Sequence, residues 1–299
     1  MQKILDFLDE NRIKFRQNVD FSELTSMRCG PLASLLVEPD SISKLVDTVK
    51  FLHLEGALYR VVGGMTNTLP PSVDFSDALI HTGRISGLRF TENNRVNAEA
   101  GVSLSRVARE AALLCIDGFA ELAGIPGSLG GAIFGNAGAH SRAMSDVVFT
   151  VSAYDPESDR LLTFSGSELA FGYRHSIFRD NTSLVILSAE LSGRAGERES
   201  ILSQMREYAA IRRERQPLSM PSLGSIFKHP TGGFAPKIIE ELGLKGLRVG
   251  GAAVSEKHAG FIVNLGTATP DDVKELITRI KDRVFSARGI VLEEEINVM

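Results

Sequence analysis

The chain has 299 residues, 43% hydrophobic and 23% charged, with a formal net charge of −4. That length suits two or three domains around a full core, and the composition excludes a disordered tail. The slightly acidic balance, with Lys and Arg scattered, excludes a nucleic-acid-binding face, and no apolar stretch approaches the length that crosses a bilayer.

The opening residues, MQKILDFLDENRIKFRQ, lack the apolar run and small-residue cleavage site of a secretory leader, so a cytoplasmic protein is expected. Residues 33–37 read as a strand, and residues 41–53 as a helix with Ile42, Leu45, Val46, Val49 and Leu52 on one face. A second strand, YRVV, runs into GGMTNT, a polar turn at the strand's C-terminal end, where α/β layers bind ligands. Residues 104–115 form a second amphipathic helix ending on Cys115, read as a buried, inert thiol. Two cysteines, Cys29 and Cys115, cannot build a disulfide framework. The histidines show no H-x-x-x-H or C-x-x-C pairing, so no metal site is expected.

Next comes GIPGSLGGAIFGNAGAH, residues 124–140, with six glycines and no charge. Glycine gives positive φ and lets a ligand touch backbone, at an entropic cost. Ser128 can cap a short helical turn over 130–136, which would aim unpaired N–H groups at an anion such as a pyrophosphate. A glycine-packed crossing between strands is the competing reading. The segment is neither a G-x-G-x-x-G dinucleotide fingerprint nor a P-loop, since no G-K-[ST] occurs.

Residues 147–193 carry short β-rich runs separated by turn residues, the pattern of an antiparallel sheet. A polar link over 193–198 leads to a helix with Ile201, Met205 and Tyr208 on one side, ending near Arg212, Arg213 and Arg215. The last third holds KIIEELGL, a Gly-rich bend, a GFIVN strand and a helix opened by Thr269, Pro270, Asp271 and Asp272. VLEEEINV is expected to close the chain as a strand. The layout is α+β: two mixed lobes, about 1–70 and 71–196, make one unit, and a smaller domain spans 197–299.

The glycine-rich segment resembles the flavin-binding segment of the UDP-N-acetylenolpyruvoylglucosamine reductase family. So do FGYRHSIF (171–178), GSIFKHP (224–230), GLKGLRVGGAAVSEKHAGFIVN (243–264) and LEEEI (292–296), in the family's order and across most of the chain. The resemblance implies a PCMH-type flavin fold, with two lobes clasping non-covalent FAD and an α+β domain holding the UDP-sugar. SLVILSAEL follows almost directly on FGYRHSIFRDN, so the chain resembles the shorter subtype, without the inserted tyrosine loop, and a monomer is expected. The implied reaction takes electrons from NADPH through FAD to the enolpyruvyl ether of UDP-N-acetylglucosamine, giving UDP-N-acetylmuramate for peptidoglycan.

The resemblance assigns catalysis to Ser225, Arg174 and Glu295. A guanidinium can hold the substrate carboxylate with two parallel N–H bonds, an acid can share a proton with the charge developing there, and a hydroxyl can deliver the proton to carbon. Lys228 is a candidate to assist the serine. FAD is assigned to Gly63, Gly64, Thr66, Asn67, Gly124, Ile125, Pro126, Gly127, Ser128, Gly130, Gly131, Asn136 and Gly138. Substrate contacts are assigned to Tyr173, Arg212, Lys228 and His229; the arginine run either meets the UDP phosphates or is a solvated helix end.

Three positions depart from the family pattern: Met65 stands for the third glycine of the first flavin loop, Arg28-Cys29-Gly30-Pro31 for a glycine pair, and His229 for an asparagine. The rival readings are a non-covalent FAD oxidase or dehydrogenase of the same fold, and a degenerate FAD-binding protein.

Overall fold

The computed structural model describes residues 1–299, and its mixture of helices and sheets is α+β. The chain forms two compact units. The first comprises residues 1–17, 35–64 and 77–210, and the second residues 18–34, 65–76 and 211–299. No helix is long and apolar enough to cross a membrane.

Two apolar cores lie in the first unit. One is built where the helix Ile42–Leu54 lays Leu45, Val49 and Leu52 against Leu35, Val37 and Ile80 of a four-stranded sheet. Ser41 caps that helix by accepting from the Lys44 N–H at 3.3 Å. The strands run in the order Lys14–Asp20, Leu32–Glu38, Phe75–His81, Tyr59–Val62, and the last two are parallel with Val62 opposite His81.

The other core lies under a five-stranded antiparallel sheet, ordered Arg160–Ser165, Val148–Asp155, Val185–Ser192, Arg95–Glu99, Leu88–Thr91. Period-2 burial along Val185–Ser192 puts alternate residues inward, as expected of a sheet with two chemically distinct faces. The helices Leu104–Leu113 and Leu129–Phe134 pack Val107, Ala111, Leu129 and Ile133 into this core. The first of these stops two residues earlier than its pattern suggests, because Cys115 turns left-handed (φ 59°), and the thiol is exposed instead of buried.

In the second unit, the helix Pro270–Arg288 covers a four-stranded sheet, Ser222–Ser225, Phe261–Asn264, Ala252–Val254, Arg248–Val249. Thr269 and Asp272 make a reciprocal capping box at its start. Met27, Cys29 and Leu69 join its core from the N-terminal third of the sequence. Burial pushes the Cys29 thiol up to about 11, with Asp272 adding to the shift.

Buried Asn264 ties these pieces together: Nδ2 donates to the carbonyls of Met27 (2.9 Å) and Arg28 (3.1 Å), and Oδ1 accepts from Gly266 (2.7 Å) and Ala268 (2.9 Å). The expected closing strand over 291–298 is reduced to a bridge between Phe227 and Glu294 and the short strand Asn297–Val298, which pairs in parallel with Thr68–Leu69.

Candidate active site

The first unit holds Gly63, Gly64, the glycine-rich segment, Tyr173 and Arg174. Gly63 and Gly64 leave the strand Tyr59–Val62; Gly63 meets the Ser128 side chain and Gly64 the backbone of residues 127–128. A Cβ on Gly63 would overlap Ser128 Oγ, and one on Gly64 would lie 3.1 Å from Gly127 Cα. These two glycines therefore serve close packing of loop on loop. Gly130 is likewise packed, its Cβ position 3.1 Å from Ala100 Cβ, whereas Gly131 is exposed.

Ser128 caps the helix Leu129–Phe134, its Oγ accepting from the Gly131 N–H at 3.4 Å. The first helical amides do not point at an anion, contrary to the sequence expectation. Leu129 donates to the Val102 carbonyl (2.7 Å) and Gly130 to that of Ala100 (2.8 Å). Donors without a protein acceptor lie just before them, on Gly127 and Ser128, and on Gly64 of the facing loop. Gly127 has φ 110°, a conformation open only to glycine. Three free amides on two touching, side-chain-poor loops suit the diphosphate of a dinucleotide, so these residues fit FAD.

Asn136 is buried and left-handed (φ 42°). Its amide is spent inside the protein, Nδ2 donating to the Gly172 carbonyl (2.7 Å) and Oδ1 accepting from Ser145 (2.9 Å). Gly172 and His175 exchange both main-chain bonds, at 3.1 and 3.2 Å, leaving exposed Tyr173 and half-buried Arg174 at the tip of a two-residue turn. Arg174 takes φ 56° there, in a position that favours glycine. Its Nη2 donates to the Gly138 carbonyl at 3.2 Å, and its Cζ lies 5.2 Å from the Tyr173 ring centre.

Thr66, Asn67, Arg212, Ser225, Lys228, His229 and Glu295 belong to the second unit. Ser225 ends the strand Ser222–Ser225, half-buried, with Oγ 3.5 Å from the Phe227 carbonyl. The following residues run antiparallel to 293–295: Glu295 donates its N–H to the Ile226 carbonyl (2.8 Å) and Lys228 its N–H to that of Glu293 (2.9 Å). Glu295 is thereby bonded to Ile226, the residue that follows Ser225 in the chain. Asn67 Nδ2 donates to the Glu295 carbonyl at 3.1 Å, so Glu295 is fixed through both of its main-chain groups.

Lys228 Nζ pairs with Glu293 at 3.2 Å, which engages the cation that the sequence offered as a helper for Ser225. His229 packs against the Phe234 ring with centres 4.4 Å apart, beside a pocket lined by Lys228, Thr231, Val291 and Glu293. Arg212, half-buried, donates Nε to Gln216 (2.8 Å) and has no carboxylate partner. Burial lowers its pKa from the ordinary guanidinium value, yet an arginine stays charged. Met65 is buried and left-handed (φ 45°), so the departure from glycine puts a side chain where glycine is favoured.

Sequence reasoning missed Ser176. Fully buried, it donates Oγ to the Phe134 carbonyl at 2.8 Å, and nothing in FGYRHSIF marks it. It also missed Asn264, whose place at the end of GFIVN gave no sign that it holds four partners.

Residues 33–163, which include the free amides of Gly64, Gly127 and Ser128, match the family described as FAD binding domain. Residues 216–299, which include Ser225 and Glu295, match UDP-N-acetylenolpyruvoylglucosamine reductase, C-terminal domain. Over 291 residues the chain is 38% identical to the UDP-N-acetylenolpyruvoylglucosamine reductase of Caldicellulosiruptor saccharolyticus, covering 97% of this chain and 93% of that protein. The corresponding reductase of Caldanaerobacter subterraneus subsp. tengcongensis is 38% identical, with 100% and 97% covered. The crystal structure of UDP-N-acetylenolpyruvylglucosamine reductase (MurB) from Thermus caldophilus superposes with a TM-score of 0.80 at 30% identity, over 96% of this chain and 98% of that one. Both halves of the sequence and the fold as a whole therefore agree: the chain belongs to the UDP-N-acetylenolpyruvoylglucosamine reductase family.

Proposed function

We propose that this chain reduces the enolpyruvyl ether of UDP-N-acetylglucosamine to the lactyl ether of UDP-N-acetylmuramate, with NADPH as electron donor. The observation that carries the reading is the Arg174 turn: a guanidinium on a glycine-favouring backbone, hydrogen-bonded to Gly138 of the segment that fits FAD. Strain of this kind costs on the order of 1–3 kcal/mol and clusters at functional sites.

When bound, FAD supplies hydride to the terminal carbon of the substrate's double bond. The protein's part is electrostatic and protonic. Arg174 holds the substrate carboxylate, onto which charge moves as the double bond is consumed. Glu295, its backbone fixed by Ile226 and Asn67, shares a proton with those oxygens. Ser225 delivers the final proton to the carbon bearing the carboxylate, a step in which a positioned acid contributes roughly 10²- to 10⁴-fold.

Gly64, Gly127 and Ser128 bind the diphosphate through N–H groups, with Gly63, Thr66, Asn67, Gly124, Ile125, Pro126, Gly130, Gly131 and Gly138 shaping the loop around it. Arg212, a charge without a carboxylate partner, suits a substrate phosphate. Tyr173, Lys228 and His229 complete the sugar-nucleotide contacts. An FAD-binding unit over 1–196 that also lends Tyr173 and Arg174 to the substrate, a substrate-binding domain over 197–299, and a monomer working in the cytoplasm belong to the same proposal.

The test is NADPH oxidation that depends on UDP-N-acetylglucosamine enolpyruvate, in a sample whose visible spectrum shows flavin. Ser225→Ala should leave flavin reduction by NADPH intact and slow reoxidation by the enolpyruvyl sugar by roughly 10²-fold or more. Equal loss in both half-reactions would remove Ser225 from the proton step.

A further inference from the structure

Asn136 and Ser176 lie in different motifs, and each makes its side-chain bond to the other's segment. Asn136, just after the helix Leu129–Phe134, donates to the carbonyl of Gly172, two residues before Arg174. Ser176, two residues after Arg174, donates to the carbonyl of Phe134, two residues before Asn136. The bonds are short, 2.7 and 2.8 Å, and both residues are buried, at 5% and 0% exposure. Between them the Arg174 guanidinium reaches Gly138 at 3.2 Å.

Three hydrogen bonds thus cross between residues 134–138 and residues 172–176, spaced symmetrically about the arginine. The Gly172 carbonyl already accepts from His175 at 3.2 Å, so it gains no satisfaction from Asn136 that the turn does not supply. What the Asn136 bond adds is place: it fixes the turn on the glycine-rich segment. The side chain is also held at its other end, since its Oδ1 accepts from Ser145 at 2.9 Å. Both ends of the amide therefore anchor protein backbone.

We propose that Asn136 and Ser176 are positioning residues for Arg174, a two-point clamp that aims its guanidinium at the substrate carboxylate. The inference rests on the reading of Arg174 given above. Its consequence is selective. Loosening the clamp leaves the amides of Gly64, Gly127 and Ser128 where they are, and therefore spares FAD affinity. It moves the arginine relative to its ligand, and displacements of about 1 Å in such groups cost up to about 10²-fold.

Two variants test this in the FAD-loaded full-length protein. Asn136→Gly accepts the left-handed backbone and deletes both amide bonds; Ser176→Ala removes one bond with little change in volume. Dissociation constants are read for FAD by fluorescence, and for the enolpyruvyl substrate and UDP-N-acetylglucosamine by perturbation of the flavin spectrum. Each variant should bind the enolpyruvyl substrate about tenfold or more weakly, while FAD and the carboxylate-free sugar nucleotide stay within about twofold.

Weakened FAD binding in Asn136→Gly would make that residue a cofactor ligand and overturn the proposal. Unchanged substrate binding in Ser176→Ala overturns it equally, and that variant decides the matter if Asn136→Gly fails to fold. Arg174→Ala separates the two readings. Should it too leave carboxylate selectivity unchanged, the assignment of Arg174 has failed; should it abolish selectivity that the clamp variants retain, only the clamp has.

Discussion

The two units hold their candidate residues by different means. In the first, Arg174 and the cofactor segment sit in irregular backbone, fixed by side chains: Asn136 and Ser176 on the arginine turn, and Ser128 on the helix that follows it. In the second, Ser225 and Glu295 are placed chiefly by main-chain bonds, with Ile226 donating to Gly260 (2.9 Å) and accepting from Glu295 (2.8 Å). Side-chain anchors can be deleted one at a time, whereas a ladder survives most substitutions. Variants of the anchoring side chains in the first unit should therefore alter binding in a folded protein, whereas in the second Ser225 and Glu295 should keep their places until a hub is removed.

Asn264 is such a hub and offers the largest expected effect. Asn264→Ala leaves two carbonyls and two amides without their side-chain partner in a buried site. At roughly 1–3 kcal/mol for an unsatisfied buried group, some of which will rehydrate, a loss of about 3 kcal/mol is expected in urea unfolding followed by circular dichroism. A loss below about 1 kcal/mol would mean that the ladder holds residues 27 and 28 without it.

Gly63→Ala probes the first unit's contrasting behaviour. The added methyl overlaps Ser128 Oγ, and Gly131 must lose its cap or the loop must shift. FAD affinity should fall about tenfold, equivalent to about 1.4 kcal/mol, while the unfolding midpoint of the FAD-free protein moves little. Gly135→Ala is the control: its Cβ position lies 3.7 Å from Arg179 Nη2, an ordinary contact. A large stability loss in Gly63→Ala with unaltered FAD affinity would erase the distinction between the units.

Much of this arrangement was legible in the residues, for identifiable reasons. Helices with regular apolar spacing and polar caps, such as Ile42–Leu54 behind Ser41 and Pro270–Arg288 behind Thr269, lie where their sequences put them. The antiparallel sheet was visible in alternation along residues 147–193. Cys115 was misplaced because its helical spacing continues past the point where the backbone turns over at φ 59°. The closing strand was overread because alternation in VLEEEINV says nothing about what it pairs with, and the pairing is one bridge and two residues long. Arg174, Ser225 and Glu295 were nameable only through motif resemblance. The clamp on Arg174 was hidden because Asn136 and Gly172 are 36 positions apart and their bond depends on the tertiary fold.

The smallest effect sharpens the comparison with one histidine in each unit. His81, opposite Val62 at the start of the first cofactor loop, has its pKa lowered mainly by burial, with Arg16 adding to this and Glu38 and the Gly63 backbone opposing it. His258 is lowered mainly by burial, helped by Lys245 and His229 and opposed by Glu240 and a backbone contact; its Nδ1 accepts from Gly260 at 3.2 Å. A histidine whose folded pKa lies below its unfolded value of about 6.5 binds protons preferentially when unfolded. The stability it contributes is therefore complete above that value and lost as pH falls below it, at no more than about 1.4 kcal/mol per pH unit for each group. Unfolding free energies at pH 7.5 and 5.5 should show the loss, and His81→Gln and His258→Gln should each flatten part of it. The His258 variant should flatten more, because protonation there also takes the lone pair that receives the Gly260 N–H. His81→Gln should in addition remove any acid weakening of FAD binding, since only His81 adjoins Gly63; an equal effect from His258→Gln would show that the cofactor loop senses pH from the second unit instead.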